Sequence, residues 1–462
     1  MQRYRRATQL LPGVGLLLIA AGCTVPTRRE NLDATAQLVA GQVAAPLEWR
    51  LDDKADAEAR QRAEAMLVDG LTLQEAIGVS FLASPDLQLA LEKLEISRAD
   101  FVAAATAPNP VAVIGAREPN GDLAAFYPGH TISFGVLQNV IGLLQIPGRR
   151  QAAKHDLQRA RLEAANAAVR LAAQVAQAWI DYSAALRVLD VRQRAAAITQ
   201  LAYDNLNAAQ AAGKPVAADT LDGQRRDLLD QQGSVIRARL DAARTRVELG
   251  EKLGIAGWRD DWSVQQPLPP LPATDPQAAA EEQAAMGRRL DLLADEEMIQ
   301  ARLRVLANTR RFRWLSEVDL GLFQDEATGG THFTGPNAVI DVPLFDQRQS
   351  ALLNADAQLR SELRTRDAAR LAARSEIRSH AAEMVAAREL LEQIEQQIEP
   401  LQRQQQQEGA AGADPDSTER LRQRLAALST EEEHVDLLRD YWRARSALAL
   451  AAGDWAGLSG LP

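Results

Sequence analysis

The chain has 462 residues, of which 46% are hydrophobic but only 4% aromatic, a balance that favours long helices rich in alanine and leucine over an aromatic-rich β-sandwich. Its formal net charge of -10 argues against a nucleic-acid partner, because neutralising phosphates requires a basic surface. The single cysteine can form neither an internal disulfide nor a cysteine-based metal site, and the five histidines are scattered, so we expect no metal and no cofactor.

Residues 1–22 have the pattern of a secretory signal peptide. Three arginines precede an apolar stretch, Leu10 to Ala20, that is too short to span a bilayer, and small residues then mark a cleavage site. Cys23 follows directly, and the segment resembles the lipobox of bacterial lipoproteins, which implies acylation at Cys23. Thr24 stands where inner-membrane retention would favour aspartate, so we expect residues 23–70 to be an N-terminal segment anchored to the outer membrane. The alternative is an ordinary secretory signal that happens to end on a cysteine.

The remainder of the chain contains one pattern of segments twice, as residues 71–257 and 278–455. Each copy has a helical stretch, two short alternating segments, a long helical stretch rich in alanine, arginine and glutamine, and a further amphipathic stretch. Between the copies, residues 258–277 are rich in proline and predict an extended linker. Residues 456–462 then form a C-terminal tail.

The helices that open the two copies correspond to each other. The first is predicted over residues 84–107 and the second over residues 289–312. Ahead of the first, Thr72 and Glu75 have the spacing of a capping box, which predicts the start of another helix.

Four segments show the two-residue period of β-strands. In residues 316–324 the apolar side chains fall on one face, and Glu317 and Asp319 fall on the other. In residues 337–344, Asp341 likewise lies on the face opposite the apolar side chains. Strands of about 9 to 11 residues that are apolar outside and polar inside are typical of a membrane β-barrel, so we expect these three acids to face its lumen. The four segments are residues 111–117, 131–136, 316–324 and 337–344.

A pair of soluble β-hairpins over a hydrophobic core is the alternative explanation of these segments. Short alternation does not separate the two, but the lipobox and the duplication favour the membrane. Four strands in one chain leave unpaired edges that lipid cannot satisfy, so a membrane sheet of this kind requires assembly of several chains.

The long helical stretches carry an apolar stripe that needs partner helices. Residues 147–212 would reach nearly 100 Å at about 1.5 Å per residue, which is too long for one globular domain. Such a stripe is buried only by other helices along its length, and the natural partners are residues 348–408 of the second copy together with the returning helices. The stripe consists of Leu171, Val175, Trp179, Tyr182, Leu186 and Leu189.

Taken together, residues 71–455 resemble the TolC-type outer-membrane efflux proteins. The resemblance lies in the order and spacing of Leu71–Ile77, Ser84–Leu87, Ala212-Gly213 and Asp341–Asp346. It implies a mainly helical fold with membrane β-structure, built from a duplicated helix-strand-strand-helix repeat. In this fold three protomers form one α-barrel from long coiled helical hairpins, and each gives four strands to a shared twelve-stranded β-barrel. The chain departs from the family at residues 138–150, where we expect a longer crossing between strand and helix.

The resemblance also implies a constriction at the periplasmic tip of the helices, where family members carry rings of acidic side chains. Like charges around one axis set a barrier for ions and can shift one another's pKa. The alternative is that these acids are solvated residues that favour helix N-termini. The candidates are Asp219 and Asp222 in the first copy, and Asp414, Asp416 and Glu419 in the second.

The function that this resemblance implies is passive export through the outer membrane. The expected partners are two sister subunits, outer-membrane lipid, a periplasmic adaptor and an inner-membrane pump. We expect no enzyme, since Gly457–Gly460 lacks nucleophile-elbow spacing and Glu431–His434 lacks the paired histidines of a metalloprotease. A periplasmic adaptor and a structural coiled-coil lipoprotein are the rivals. The first should have one helical hairpin flanked by soluble β-domains, and the second should have no alternating strands.

Overall fold

The structure is a computed structural model that describes residues 25–118, 130–258, 261–265, 268–315, 317–327, 330, 332–410 and 418–455. The predicted signal peptide, Cys23, Asp414, Asp416 and the tail lie outside the described residues.

The chain folds into long helices and one small sheet, so the predicted mainly helical fold with a few antiparallel strands is confirmed. Two helices come first, α1 (Arg28–Ala40) and α2 (Asp53–Met66). They are followed by α3 (Leu73–Ala83), α4 (Pro85–Ala105), β1 (Val111–Arg117), β2 (Thr131–Asn139), α5 (Val140–Ala211) and α6 (Ala218–Leu253). The same order of elements then recurs as α7 (Ala278–Arg288), α8 (Leu290–Arg311), β3 (Val318–Ala327), β4 (His332–Ile340), α9 (Gln349–Ala410) and α10 (Thr418–Ala452).

Two compact units make up the described chain. The first, which contains the sheet, comprises described residues within Met1–Asn31, Leu94–Arg159 and Glu297–Leu363. The second, which is helical, comprises Leu32–Lys93, Ala160–Glu296 and described residues within Arg364–Pro462. Among the described residues, none of the helices combines the length and the apolarity needed to cross a membrane.

The start of α3 follows the predicted capping box. The Thr72 hydroxyl accepts a hydrogen bond from the Glu75 backbone N–H at 3.2 Å, and the Glu75 carboxylate accepts one from the Thr72 backbone N–H at 2.9 Å. Two amides that a helix start leaves without partners are therefore satisfied locally.

The last helix of each half ends in the same way. Gly254 after α6 and Gly453 after α10 both have a positive φ, of 75° and 65°. A Cβ at Gly254 would lie 2.8 Å from the carbonyl carbon of Ala83, and one at Gly453 would lie 3.1 Å from the backbone nitrogen of Arg289. Each glycine is thus packed against the break between the first two helices of its own half, where a side chain has no room.

The junction between strand and helix differs between the two halves. After β2 the expected longer crossing is absent, because Asn139 ends the strand and its side chain caps α5 through the backbone N–H of Gly142. Helix α5 therefore begins at Val140 and includes Pro147. After β4, by contrast, residues 341–348 form a turn in which the Asp346 carboxylate accepts the backbone N–H of Arg348 at 2.8 Å.

The described residues of the proline-rich segment between the halves form no helix, and several of them bond to other parts of the helical unit. The Leu71 backbone N–H donates to the Ser263 carbonyl oxygen at 2.9 Å. The Trp442 indole N–H donates to the Pro269 carbonyl oxygen at 2.9 Å. The fully buried Trp179 of the predicted stripe donates to the Leu71 carbonyl oxygen at 3.2 Å, so the same layer of contacts includes α5.

Candidate functional site

The sheet in the first unit joins the strands of both halves. It is antiparallel throughout, in the order β1-β2-β3-β4, and β1 and β4 are its edges. In the middle, β2 of the first half pairs with β3 of the second, with Val136 opposite Leu322 and Gly135 opposite Phe323. Since paired residues of neighbouring strands share a face, this register decides which side chains form each surface.

One face of the sheet is apolar and exposed. Phe134 is 49% exposed and Leu322 is 62% exposed, although both lie within regular strands. Towards the C-terminal end of β3 the same face becomes polar, with Gln324 opposite Phe134 and Glu326 opposite Ile132. An exposed apolar band of this kind marks a surface that contacts lipid or protein. Its other large members are Ile114, Val136, Leu320 and Ile340.

Of the three acids predicted to face a lumen, one lies within a strand and two lie just beyond the ends of strands. Asp319 lies in β3 on the face opposite Leu320. Glu317 and Asp341 are adjacent at the ends of β3 and β4, because the Glu317 carbonyl oxygen accepts the Asp341 backbone N–H at 3.1 Å. The side-chain amide of Asn139 also donates to the Glu317 carboxylate at 3.4 Å, so β2 joins this cluster.

Sequence reasoning missed the part that two glycines play on the opposite face of the sheet. A Cβ at Gly135 would lie 2.5 Å from the Phe323 ring, so the ring packs directly over the bare backbone of β2. A Cβ at Gly321 would overlap the carbonyl oxygen of Val136 and lie 3.0 Å from the Cα of Leu137. Glycine inside a strand signals such a close approach, and that signal was present in both alternating segments.

Sequence reasoning also missed aromatic side chains beside the ends of the strands. Trp314 precedes β3, is 55% exposed and carries the Arg313 guanidinium 4.5 Å above its ring. Phe345, in the turn after β4, is 93% exposed. Aromatic and arginine side chains at the end of an apolar strand face are typical of a boundary between lipid and water.

In the helical unit, α5 and α10 are joined by ion pairs. The Glu431 carboxylate accepts from Arg187 at 2.5 Å and from Arg194 at 2.7 Å, and Arg443 donates twice to Asp181 at 2.9 and 3.0 Å. Val191 and Ala195 of α5 also form a small buried cluster with Leu428 of α10, next to the Glu431 pairs.

A cavity of about 480 Å³ lies among α5, α6 and α10 and is lined mainly by charged side chains. Burial raises the pKa of Asp181 and Asp436 above the usual range, although Arg443 and Arg439 act in the opposite direction. The other acids that line it are Asp241, Glu248, Glu432 and Asp440. Within the described chain there is no group of three or more histidine, cysteine, aspartate or glutamate side chains that could hold a metal ion.

Replacing Asp436 with asparagine is expected to raise the melting temperature slightly at pH 7.5 and to leave it unchanged near pH 3. A carboxyl whose pKa is raised by folding binds more protons in the folded state, so its charge lowers stability as the pH rises above the unfolded value of 3.8. Arg439 keeps Asp440 as a partner at 3.0 Å, so the substitution leaves no buried charge unpaired. Thermal unfolding across this pH range tests the sign, and a lower melting temperature at pH 7.5 would contradict it.

The described candidates for a tip constriction are all exposed acids near helix starts. Asp219 lies in the first turn of α6 and Glu419 in the first turn of α10, where the helix dipole favours negative charge. Asp222 lies one turn further along α6. None of the three has an ion-pair partner among the described residues, and their other two predicted companions, Asp414 and Asp416, lie outside that part of the chain.

Comparisons with known proteins identify the fold. No protein-family model matches the sequence, and the curated proteins give no match either. Among solved structures, a membrane protein from Pseudomonas aeruginosa superimposes with a TM-score of 0.65 at 17% identity, over 89% of this chain and 98% of the other.

Two channel structures give similar values. CusC, described by its transmembrane channel formation, has a TM-score of 0.65 at 14% identity over 84% of this chain and 93% of its own. The MtrE outer-membrane channel of Neisseria gonorrhoeae has a TM-score of 0.64 at 14% identity, over 83% and 89%. The fold is therefore that of the outer-membrane channel proteins, as the TolC-type resemblance implied.

Proposed function

We propose that this chain is the outer-membrane channel subunit of a tripartite efflux or secretion assembly and acts as a passive export duct. The observation that carries the proposal is the sheet, which exposes an apolar face and two unpaired edges in a single chain. In the proposed assembly an inner-membrane pump supplies the energy, and an adaptor bridges pump and channel. The protein itself catalyses no reaction.

Hydrogen-bond accounting supports a ring of several copies. The edge strands β1 and β4 each present unpaired backbone groups, and lipid cannot accept or donate hydrogen bonds to them. Pairing β1 of one copy with β4 of the next removes every edge, and three copies give twelve strands. The strands β2, β3 and β4 have 9, 10 and 9 residues, close to the 9 to 11 or so that a tilted membrane strand requires.

In this assembly the apolar band of the sheet faces lipid and the opposite face is wetted. Glu317, Asp319 and Asp341 then line the lumen as ordinary hydrated acids. Trp314 and Phe345 lie near the level of the lipid headgroups, where amphipathic and aromatic side chains are enriched.

The remaining predicted features belong to the same proposal. Residues 1–22 are removed, and Cys23 carries the lipid that holds residues 23–70 at the outer membrane. Residues 71–257 and 278–455 are the two repeats, and 258–277 is the segment that joins them. The acids Asp219, Asp222, Asp414, Asp416 and Glu419 line the periplasmic tip, where three copies of each would form a negative constriction.

Conductance of the purified protein tests the proposal. The full chain, extracted in detergent and inserted into a planar bilayer, is expected to be a trimer and to form ion-conducting pores. A strain that lacks the protein is expected to become sensitive to the exported compounds and to recover when the gene is restored. A protein that proves to be a stable monomer in plain buffer after the substitution Cys23→Ala would overturn the proposal.

A further inference from the structure

Arginine is in excess at the helical end of the sheet, where the strands join the helices. Within ten residues of the strands at this end lie five arginines and three acids, although the net charge of the chain is -10. At the opposite end the described acids outnumber the described bases, with Glu118, Asp325 and Glu326 against Arg117. The acids of the helical end are Glu317, Asp341 and Asp346, and the arginine cluster consists of Arg149, Arg310, Arg311, Arg313 and Arg348.

Contacts between helices bring the arginine cluster together. The last turn of α8 lies against α5, because a Cβ at Gly148 would overlap the Asn308 side chain. It also lies near the start of α9, because Arg310 pairs with Asp356 at 3.7 Å. The arginine that follows Gly148 and the one that precedes α9 are therefore close to those at the end of α8.

Two members of the cluster have no carboxylate partner among the described residues. Arg311 lies 5.4 Å from the centre of the Phe312 ring, and Arg313 lies 4.5 Å from that of Trp314. The Arg313 Nε atom is buried and has no hydrogen-bond acceptor within the described chain. The dipole of α8 favours positive charge in its last turn, which accounts for Arg311, but Arg313 lies beyond that turn. Both guanidinium groups therefore have N–H donors that the chain itself does not use.

Arg348 has a backbone conformation that arginine does not favour. Its φ is 57°, and among the described residues it is the only one other than glycine with a positive φ. This region suits glycine or asparagine, and exceptions of this kind cluster at functional sites. The turn before α9 therefore does not explain the choice of arginine, whereas a ligand of its side chain would.

In the proposed assembly the arginine cluster lies at the depth of lipid headgroups. A ten-residue strand such as β3 is about 33 Å long and, tilted by about 45°, crosses about 23 Å of a hydrocarbon core about 30 Å thick. Exposed apolar residues beyond the strands can fill the remainder. The bond between Asp341 and Glu317 extends the pairing past Ile340, which places Val342 on the apolar face. The exposed apolar residues at this end are Trp314, Leu315, Val342, Leu344 and Phe345.

We propose that the arginine cluster binds the phosphate groups of anionic phospholipids in the leaflet at the helical end of the sheet, while the neighbouring apolar side chains contact the acyl chains. Guanidinium donors match phosphate oxygens, and each basic side chain near an anionic membrane surface adds to the attraction. Aromatic rings beside the guanidinium groups favour this boundary. The inference rests on the proposed function, which puts the sheet in a membrane, and adds the class of lipid that the subunit prefers.

Thermal unfolding of the full chain in a neutral detergent tests the preference. Phosphatidylglycerol is the anionic probe, and phosphatidylcholine with the same acyl chains is the zwitterionic control. Phosphatidylglycerol is expected to raise the unfolding temperature at a concentration at least several-fold lower than phosphatidylcholine requires, because a ligand of the folded state stabilises it. High salt is expected to reduce the difference. Inorganic phosphate, which has no acyl chains, is expected to leave the unfolding temperature unchanged.

Two double variants locate the site. The pair Arg311→Gln and Arg313→Gln is expected to remove the preference for phosphatidylglycerol and to leave stabilisation by phosphatidylcholine unchanged. The matched control is Arg364→Gln with Arg370→Gln, two exposed arginines of α9 that have no ion pair among the described residues. They lie at least sixteen residues, or about 24 Å, from Arg348 and are expected to leave the preference intact.

Equal affinity for the two lipids, equal stabilisation by inorganic phosphate, or loss of the preference in the control pair would overturn the inference. Altered ion selectivity of the pores with an unchanged lipid preference would also overturn it, because the arginines would then face the lumen. Loss of adaptor binding with an unchanged lipid preference would do so as well, since the adaptor would be the occupant. In each case a pore-forming trimer leaves the proposed function standing, whereas a chain that forms neither trimer nor pore refutes the proposed function.

Discussion

Replacing Gly321 with alanine is expected to prevent assembly of the four-stranded sheet. The added Cβ would overlap the carbonyl oxygen of Val136, and it would lie 2.8 Å from that residue's carbonyl carbon and 3.0 Å from the Cα of Leu137. These are backbone atoms of the neighbouring strand, so no side-chain rotation relieves the overlap. The cost is expected to reach or exceed the upper end of the roughly 1–3 kcal/mol that overpacking usually carries.

The consequence is large because Gly321 lies where the two halves of the chain meet. Pairing of β2 with β3 is the contact that makes two hairpins into one sheet. The Gly321→Ala protein is therefore expected to be degraded or to remain outside the outer-membrane fraction, measured by fractionation and by loss of the folded trimer on a gel run without heating. Gly335→Ala is the matched control, since a Cβ at this position in β4 meets nothing within 4 Å. Equal assembly of both variants would contradict the close approach.

Replacing Asp275 with alanine is expected to destabilise the helical unit by roughly 1.5–3 kcal/mol, the usual contribution of hydrogen bonds to a charged group, because the ion pair that it breaks is half-buried. The Asp275 carboxylate accepts two hydrogen bonds from Arg388, at 2.6 and 2.7 Å, and one from the Tyr441 hydroxyl at 2.6 Å. The side chains of Asp275 and Arg388 are only 15% and 19% exposed. Without the carboxylate, Arg388 and Arg445 would remain close together with no shared counter-charge.

The cluster of Asp275, Arg388, Tyr441 and Arg445 is expected to contribute less to the stability of the fold at low pH. Burial acts to raise the pKa of Asp275, but the hydrogen bonds from Arg388 and Tyr441 outweigh it and hold that pKa below 3.8. The cluster therefore contributes its stability in full above the unfolded value of 3.8 and loses it as the pH falls through the lower folded value. The difference in unfolding temperature between the natural protein and Asp275→Ala is expected to shrink in that acidic range.

Chemical denaturation and limited proteolysis together measure the loss of stability in the Asp275→Ala protein. Because Asp275 and the Pro272 carbonyl oxygen both bind Arg388, the variant should also expose the segment before α7 to a nonspecific protease. Glu392→Gln is the control, since this exposed partner lies 3.6 Å from Arg388 and surface pairs contribute about 0–1 kcal/mol. A variant of Asp275 as stable as this control would show that the cluster does not secure the segment.

Features that depend only on residues close together in the chain, such as helix starts and strand positions, could be predicted from the sequence. The capping box of Thr72 and Glu75 predicted the start of α3, and residues 111–117 coincide with β1. The last alternating segment was less accurate, because it was predicted over 337–344 and β4 covers His332–Ile340. Alternation continues beyond the strand in Val342 and Leu344, but the turn that follows gives those residues no strand partner.

The helix after β2 shows why a junction can be misjudged. A longer crossing between strand and helix was expected over residues 138–150, where the sequence departs from the family. The structure instead uses Asn139 as a cap, and Gly148 lies against the Asn308 side chain, where a Cβ would overlap the side-chain amide. A helix in close contact with another can thus include a glycine that its own propensity disfavours.

By itself the sequence determined the order of helices and strands in the two repeats, the apolar face of three strands and the presence of helices too long for a single core. These follow from the spacing of apolar residues, which depends on the local geometry of a helix or a strand. The tertiary structure alone decided the β2–β3 register and the docking of the proline-rich segment. It also decided which of two adjacent apolar rows on α6 is buried within the chain, the row with Leu228 or the row with Leu229. The spacing of apolar residues identifies a face but not the surface that covers it, because Leu228 and Leu229 are equally apolar although only Leu228 is buried.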